Sequence, residues 1–364
     1  MVGRGCAGRA MRRPPLAAGG TTGCRRYGGT YSTGNVLLRA ESRGITMGTE
    51  TIGVLLMTYG SPATLDDIPV YMTNVRGGRA PEEELVREFR RRYDLIGGSP
   101  LLRITRAQAA ALQNELNGRH ADGPRFQVGA GMRFAPPFVK DVTPEVAAGA
   151  DQLAGIIMSP QYSPIIMSGY ARALDEAVGG LHRADLTVKM AEDWHLQPKF
   201  LQAVAERVRQ ALEKFPPDVR ERVPVLLSAH SMPLRVVQSE PGYIEALKET
   251  ARQIARLVGL PDERWMFCYQ SAGHTPEEWL KPDFADMMPE LRAAGHTHVL
   301  IAPVQFLADH LEILYDIEIG AREQAEEHGI QFARTESLNT LPVFIQALAD
   351  VVEETLKQPG RQVQ

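Results

Sequence analysis

The feature that most narrows the fold is a rhythm. From Thr51 onward, short apolar runs alternate with stretches of helical spacing. Residues 52–58, 126–132, 152–158 and 186–191 read as strands, with helices expected over 64–75, 81–95, 101–117, 138–150, 168–180 and 198–215. Phe215-Pro-Pro-Asp-Val-Arg-Glu-Arg222 has the composition of a linker, and the rhythm then repeats. Strands are expected over 223–229, 264–270, 297–304 and 331–336, and helices over 243–258, 283–294, 309–327 and 341–357. Strands that are apolar throughout and separated by helices belong to parallel sheets covered on both faces. The expected fold class is therefore α/β, with two similar doubly wound (Rossmann-like) domains whose four-stranded parallel sheets face across a cleft. The boundaries read as 47–217 and 218–338, with a C-terminal helix and tail over 339–364 packing back on the first domain.

Charge separates the first 46 residues from the rest. They hold eight arginines, one glutamate and ten of the 33 glycines, leaving 32 basic and 43 acidic residues beyond them. They lack the apolar core of a secretory signal and read as a disordered or non-native extension, with translation expected to begin at Met47. A net charge of −4 gives no reason to expect nucleic acid. No apolar run approaches the ~20 residues of a membrane span. Cys6, Cys24 and Cys268 form no disulfide framework and no metal spacing, which suits a reducing cytoplasm. They are also too few, in the folded part, for a four-cysteine iron–sulfur cluster.

In doubly wound folds, ligands bind beyond the carboxyl ends of the strands. No Gly-x-Gly-x-x-Gly follows the first strand, so a dinucleotide is not expected. His230 directly follows the run Val223-Pro-Val-Leu-Leu-Ser-Ala229 and can be a general base, a neutral metal ligand or a plain strand-end histidine. Two strands later comes Val304-Gln-Phe-Leu-Ala-Asp-His-Leu-Glu-Ile-Leu-Tyr-Asp316. On a helix, Asp309, Glu312 and Asp316 at i, i+3 and i+7 share one face. That face could carry a cation or protons, or Asp309 and Glu312 could form a capping box. His230 and Glu312 should point into one crevice, where one imidazole and one carboxylate hold a divalent ion loosely. The four ligands of a structural zinc site are missing. His310 could support the pair, while His296 and His298 read as edge residues and His274 lies in a loop. In the first half, Tyr59 should overhang the cleft, Arg76 lies in a Gly-rich loop, and Arg92 and Tyr93 close a helix. Arginine and hydroxyl groups around aromatic surface suit a flat ligand with carboxylate arms. Most of the 82–92 charge run is otherwise a solvated helix face.

Together these residues resemble the ferrochelatase family over about residues 52–357. The resemblance rests on Leu227-Ser-Ala-His-Ser-Met-Pro233, Asp309-His-Leu-Glu-Ile-Leu-Tyr-Asp316, Tyr269-Gln-Ser271 with Pro276-x-x-Trp279-Leu280, Ile96-Gly-Gly-Ser-Pro-Leu101 and Glu336-Ser-Leu-Asn339. It implies a chelatase-like fold and insertion of Fe²⁺, as substrate, into a porphyrin. His230 and Glu312 would bind metal and remove pyrrole protons, while Asp309 and Asp316 form a proton or metal path. Where the family's acidic file continues, this chain has Gly320, and Glu318 is the substitute at hand. The same resemblance assigns Tyr59, Arg76, Arg92, Tyr93, Ser99 and Tyr170 to porphyrin contact, and Tyr59 points to the coproporphyrin III type. It implies a cytoplasmic monomer with no permanently bound cofactor, no [2Fe-2S] cluster, no membrane insertion and no nucleic-acid partner. The alternatives are a protoporphyrin IX ferrochelatase and a non-catalytic, two-lobed tetrapyrrole or metal carrier.

Overall fold

The computed structural model describes residues 50–273 and 277–362. The expectations for residues 1–46 and for the His274 loop lie outside the described residues. Eight parallel strands form as the apolar runs require: β1 Thr51–Thr58, β2 Arg125–Met132, β3 Gln152–Ile157, β4 Thr187–Met190, β5 Val225–His230, β6 Trp265–Gln270, β7 His298–Pro303 and β8 Gln331–Arg334. The first sheet runs β2-β1-β3-β4 and the second β6-β5-β7-β8, parallel throughout. The first sheet carries one addition. A two-residue strand, β9 Arg361–Gln362, pairs antiparallel with β4 at the edge. Two polar residues carry no strand periodicity, so the sequence offered no sign of it.

Helix boundaries follow capping chemistry more than apolar spacing. The helix expected over 168–180 spans Pro164–Gly179, because Ser163 caps it and Pro164 fits the first turn. The presumed linker contains the short helix Pro217–Arg220.

The two sheets share a core. Ile52, Val54 and Leu56 of β1 cluster with Val225 and Leu227 of β5 and Leu300 of β7, through helices Pro198–Glu213 and Pro342–Lys357. The last helix packs on helices Leu101–Arg119 and Pro198–Glu213 and on β3 and β4, burying Phe344, Leu348 and Val352 completely. Among the described residues, no helix is long and apolar enough to cross a membrane.

Strand order places the site. In each sheet the first strand lies between the second and third, so the chain leaves it to one side and returns on the other. The crevice opens at that switch, beyond the carboxyl end. Tyr59 follows β1 there, and His230 ends β5.

Candidate active site

The His230 backbone is held by its N–H donating to Gln305 Oε1 at 2.9 Å, and Gln305 in turn donates to the Tyr243 hydroxyl at 2.6 Å. Its Nδ1 lies against the Ser231 carbonyl. A carbonyl only accepts, so Nδ1 carries a hydrogen, and in the neutral imidazole Nε2 then keeps a free lone pair. That Nε2 faces Glu312 Oε2 at 3.4 Å. The same oxygen is buried and makes no hydrogen bond, and His310 Nε2 stands 4.0 Å away. Two acceptors facing each other at a part-buried site are unfavourable unless a proton or metal ion lies between them. Trp279 and Phe306 flank the imidazole, each with its ring centre 6.5 Å away.

Proximity comes from two neighbouring parallel strands that end side by side. Val304 N–H donates to the Ser228 carbonyl and extends the β5–β7 ladder, so the chain leaving β7 stays beside the end of β5 before turning into a helix. That helix departs from expectation. It begins at Leu311, and Glu312–Ala321 is wound as a π-helix before the α-helix Arg322–Glu327. Wide turns of this kind recur at functional sites.

Asp309 is therefore not its N-cap, and the capping box is absent. The Asp309 carboxylate is gripped by Ser337 Oγ and Asn339 Nδ2, each at 2.8 Å, with Arg334 at 3.7 Å. It lines a cavity of about 410 Å³ with Arg103, Ile104 and Leu314, which neither His230 nor Glu312 lines. Glu312 and Asp316 lie on the π-helix and Asp309 before it, so the three do not share the expected helical file. Glu318 is no extension of it, being engaged by Arg322 and by Arg334 Nε at 2.5 Å.

Burial raises the Asp316 carboxyl above the ordinary aspartate range. The nearby Ser271 hydroxyl opposes the shift, the charge of Glu312 adds to it, and Arg92 and His230 oppose it. Ser271 closes β6 at φ 59°, a left-handed conformation rare for serine and typical of functional loops.

Helix Glu83–Leu95 leans on the π-helix. Arg92 donates to Glu88 at 2.8 Å, reaches Asp316 at 3.8 Å and lies over the Tyr315 ring, while Arg91 donates to the Tyr315 hydroxyl at 2.5 Å. Tyr93, next along, is buried with its hydroxyl 3.4 Å from Ser61 Oγ, and burial pushes its phenol up to about 12.

Tyr59 is 45% exposed and stacks on Phe134 at 4.6 Å. Desolvation first, then the charge of Glu312, push its phenol up to about 12, with Arg133 pulling down. The phenol therefore senses the carboxylate across the crevice. The other expected contacts are placed less directly. Arg76 is exposed at the end of helix Ile68–Val75. Ser99 Oγ accepts from Leu101 N–H at the start of the next helix. Tyr170 is only 5% exposed and lies beneath Arg133. Arg133 and Phe134 were missed, although they follow β2 as Tyr59 follows β1. The strand-end rule would have found them.

Among the described residues no group of three His, Cys, Asp or Glu side chains is placed to hold a metal ion. The site has a pair, open on its remaining sides.

Comparison with known proteins agrees with this architecture. The ferrochelatase family model matches residues 51–356. The chain is 41% identical to the ferrochelatase of Herpetosiphon aurantiacus over 301 residues, 82% of this chain and 97% of that one. It is 38% identical to the coproporphyrin III ferrochelatase of Geobacillus kaustophilus over 317 residues, 85% of this chain and 98% of that one. Among solved structures, SirB from Bacillus subtilis with Fe³⁺ superposes with a TM-score of 0.53 at 13% identity, over 85% of this chain and 96% of that one. That last likeness concerns the fold alone. A family match running through both sheets, and relatives covered almost end to end, make this chain a member of the ferrochelatase family, a metal chelatase that acts on a porphyrin and iron.

Proposed function

We propose that the enzyme inserts Fe²⁺ into coproporphyrin III, with His230 and Glu312 as the reacting pair. The observation that carries the assignment of the pair is the 3.4 Å gap between His230 Nε2 and the unpartnered, buried Glu312 Oε2. Two donors about 2.1 Å from one ion stand at such a separation when the ion–donor angle is open. Insertion releases two pyrrole protons as the dication enters. The free lone pair of Nε2 suits proton acceptance, and the carboxylate suits the incoming ion. Asp316, with its carboxyl raised and Glu312 four residues away, takes protons onward or feeds metal inward. Asp309 shapes the neighbouring cavity.

The coproporphyrin III assignment rests on Tyr59 and on the names of relatives. Tyr59 stands at the switch point of the first sheet, where its phenol can reach the iron of the product. Relatives of 38% identity carry the coproporphyrin III name, while those of Herpetosiphon aurantiacus and Deinococcus radiodurans, at 41% and 38%, are named ferrochelatase without further qualification. Arg76, Arg92, Tyr93, Ser99 and Tyr170 form the porphyrin-facing set in this reading. Anaerobic assays with Fe²⁺ and each porphyrin test it. A higher kcat/KM for coproporphyrin III is expected, and equal or greater efficiency with protoporphyrin IX defeats the assignment.

We further propose that the protein works in the cytoplasm as a monomer with no resident cofactor. Cys268, a free and buried thiol, fits a reducing compartment. Metal analysis and size-exclusion mass measurement of the purified enzyme check this. A stoichiometric iron–sulfur cluster or a dimer mass overturns it.

A further inference from the structure

Arg133 comes one residue after β2, at the cleft end of the first sheet. Its N–H donates to the Thr58 carbonyl at 2.9 Å and the Phe134 N–H to the Tyr59 carbonyl at 3.0 Å, so this segment runs beside Tyr59. The guanidinium lies over the Phe134 ring at 4.6 Å and over the Tyr170 ring at 5.4 Å. Phe134 in turn stacks on Tyr59. The opposite wall of the seat is Gly169. A Cβ added there would fall 2.0 Å from the guanidinium carbon. Glycine weakens a helix interior, and here its missing side chain is the space Arg133 occupies.

The Arg133 side chain is half-buried, and among the described residues it has no hydrogen-bond acceptor and no acidic partner. Aromatic faces hold its plane but leave the fork of N–H donors unfilled. Withdrawing a cation from water without an anion is unfavourable. Arg92, by contrast, is engaged by Glu88 and Asp316.

We propose that Arg133 binds a peripheral carboxylate of the porphyrin, and that Gly169 is the positioning residue that seats it. The guanidinium fork matches a carboxylate in two parallel hydrogen bonds. The Phe134 and Tyr59 rings beside it offer apolar surface to the macrocycle edge. The proposal rests on the porphyrin-metallation reading and adds a determinant of which porphyrins bind.

The test measures binding to the full chain by porphyrin fluorescence quenching, with coproporphyrin III and its tetramethyl ester, in which every carboxylate is masked. Arg133→Met should weaken coproporphyrin III binding on the order of tenfold, as expected for one charged hydrogen-bonding site. Its effect on the ester should be absent. Arg133→Lys should recover part of the loss, since a point charge replaces a fork. Gly169→Ala should reproduce Arg133→Met, and the double variant should be no weaker than either single one. Equal losses for acid and ester would make Arg133 a packing residue and overturn the proposal, as would unchanged coproporphyrin III binding in Arg133→Met. A Gly169→Ala variant that binds like the wild type would overturn the seating role. If the wild type binds neither porphyrin, it is the metallation reading that fails.

Discussion

The imidazole Nε2 of His230 and the carboxylate Oε2 of Glu312 stand 3.4 Å apart, although the residues belong to different elements of the second half. One ends β5 and the other begins the π-helix after β7, and a backbone hydrogen bond from Val304 to Ser228 brings the two segments side by side. Neither group satisfies the other, so this is a place where stability has been yielded for chemistry.

Glu312→Gln should therefore separate stability from activity. Replacing a part-buried carboxylate whose Oε2 makes no hydrogen bond with a neutral amide should raise stability, by at most about 1 kcal/mol. The same change should lower kcat by about 10²–10⁴-fold, the usual weight of a group acting on a proton in the transition state. Denaturant melts and anaerobic metallation rates on one preparation check both. A loss of stability together with intact turnover would make Glu312 a structural residue.

Asp316 gives a pH-dependent prediction. Its folded-state pKa lies above the unfolded value, mainly through burial. The folded protein then holds this proton more tightly, so stability falls as pH rises from the ordinary aspartate range through the raised value. Asp316→Asn should be more stable than the wild type at neutral pH, with the advantage vanishing in acid. Its turnover should drop while porphyrin binding persists. Melting temperatures and rates measured across pH decide, and a variant with unaltered turnover removes Asp316 from the path.

Tyr59 should stay protonated in the free enzyme, because partial desolvation of its phenol and the charge of Glu312 push it up to about 12. Ligation of iron must then depend on the metal's own charge to displace the proton. Ultraviolet titration of the wild type against Tyr59→Phe should show no tyrosinate from this residue near neutral pH. With ferric coproporphyrin added, a tyrosinate-to-iron band should appear in the wild type alone. Its appearance in Tyr59→Phe as well would exclude this residue as the ligand.

The lip should loosen when its stacking partner is removed. Arg92 lies 4.9 Å from the Tyr315 ring centre, tying helix Glu83–Leu95 to the π-helix. Tyr315→Ala should speed amide exchange in that helix about threefold, in keeping with a modest cation–π contribution. Exchange elsewhere should hold steady. Uniform acceleration throughout the chain would point to general destabilisation instead.

Much of this molecule could be read from one dimension. Buried parallel strands need unbroken apolar runs, so the eight runs named the strands, and their alternation with helices left few topologies. The strand-end rule then singled out Tyr59 and His230, because in a doubly wound sheet the switch point follows from strand order alone. Glu312 was found as one of three acids spaced at i, i+3 and i+7 on a helix expected after a strand.

What stayed hidden depends on partners distant along the chain. Asp309 looked like a cap or a third carboxylate of the file, yet Ser337 and Asn339 hold it in a separate cavity. Asn339 itself takes φ 45°, a left-handed conformation that asparagine tolerates. Glu318 looked available until Arg334 and Arg322 closed on it. The π-winding of Glu312–Ala321 has no signature in apolar spacing, which π- and α-helices share too closely over two turns. Gly169 read as an ordinary helix residue because the side chain that needs its empty space is Arg133, on another element. Local pattern sets which elements form, since backbone geometry repeats every two or 3.6 residues. The charge state and reach of each polar side chain come from whatever the fold packs against it.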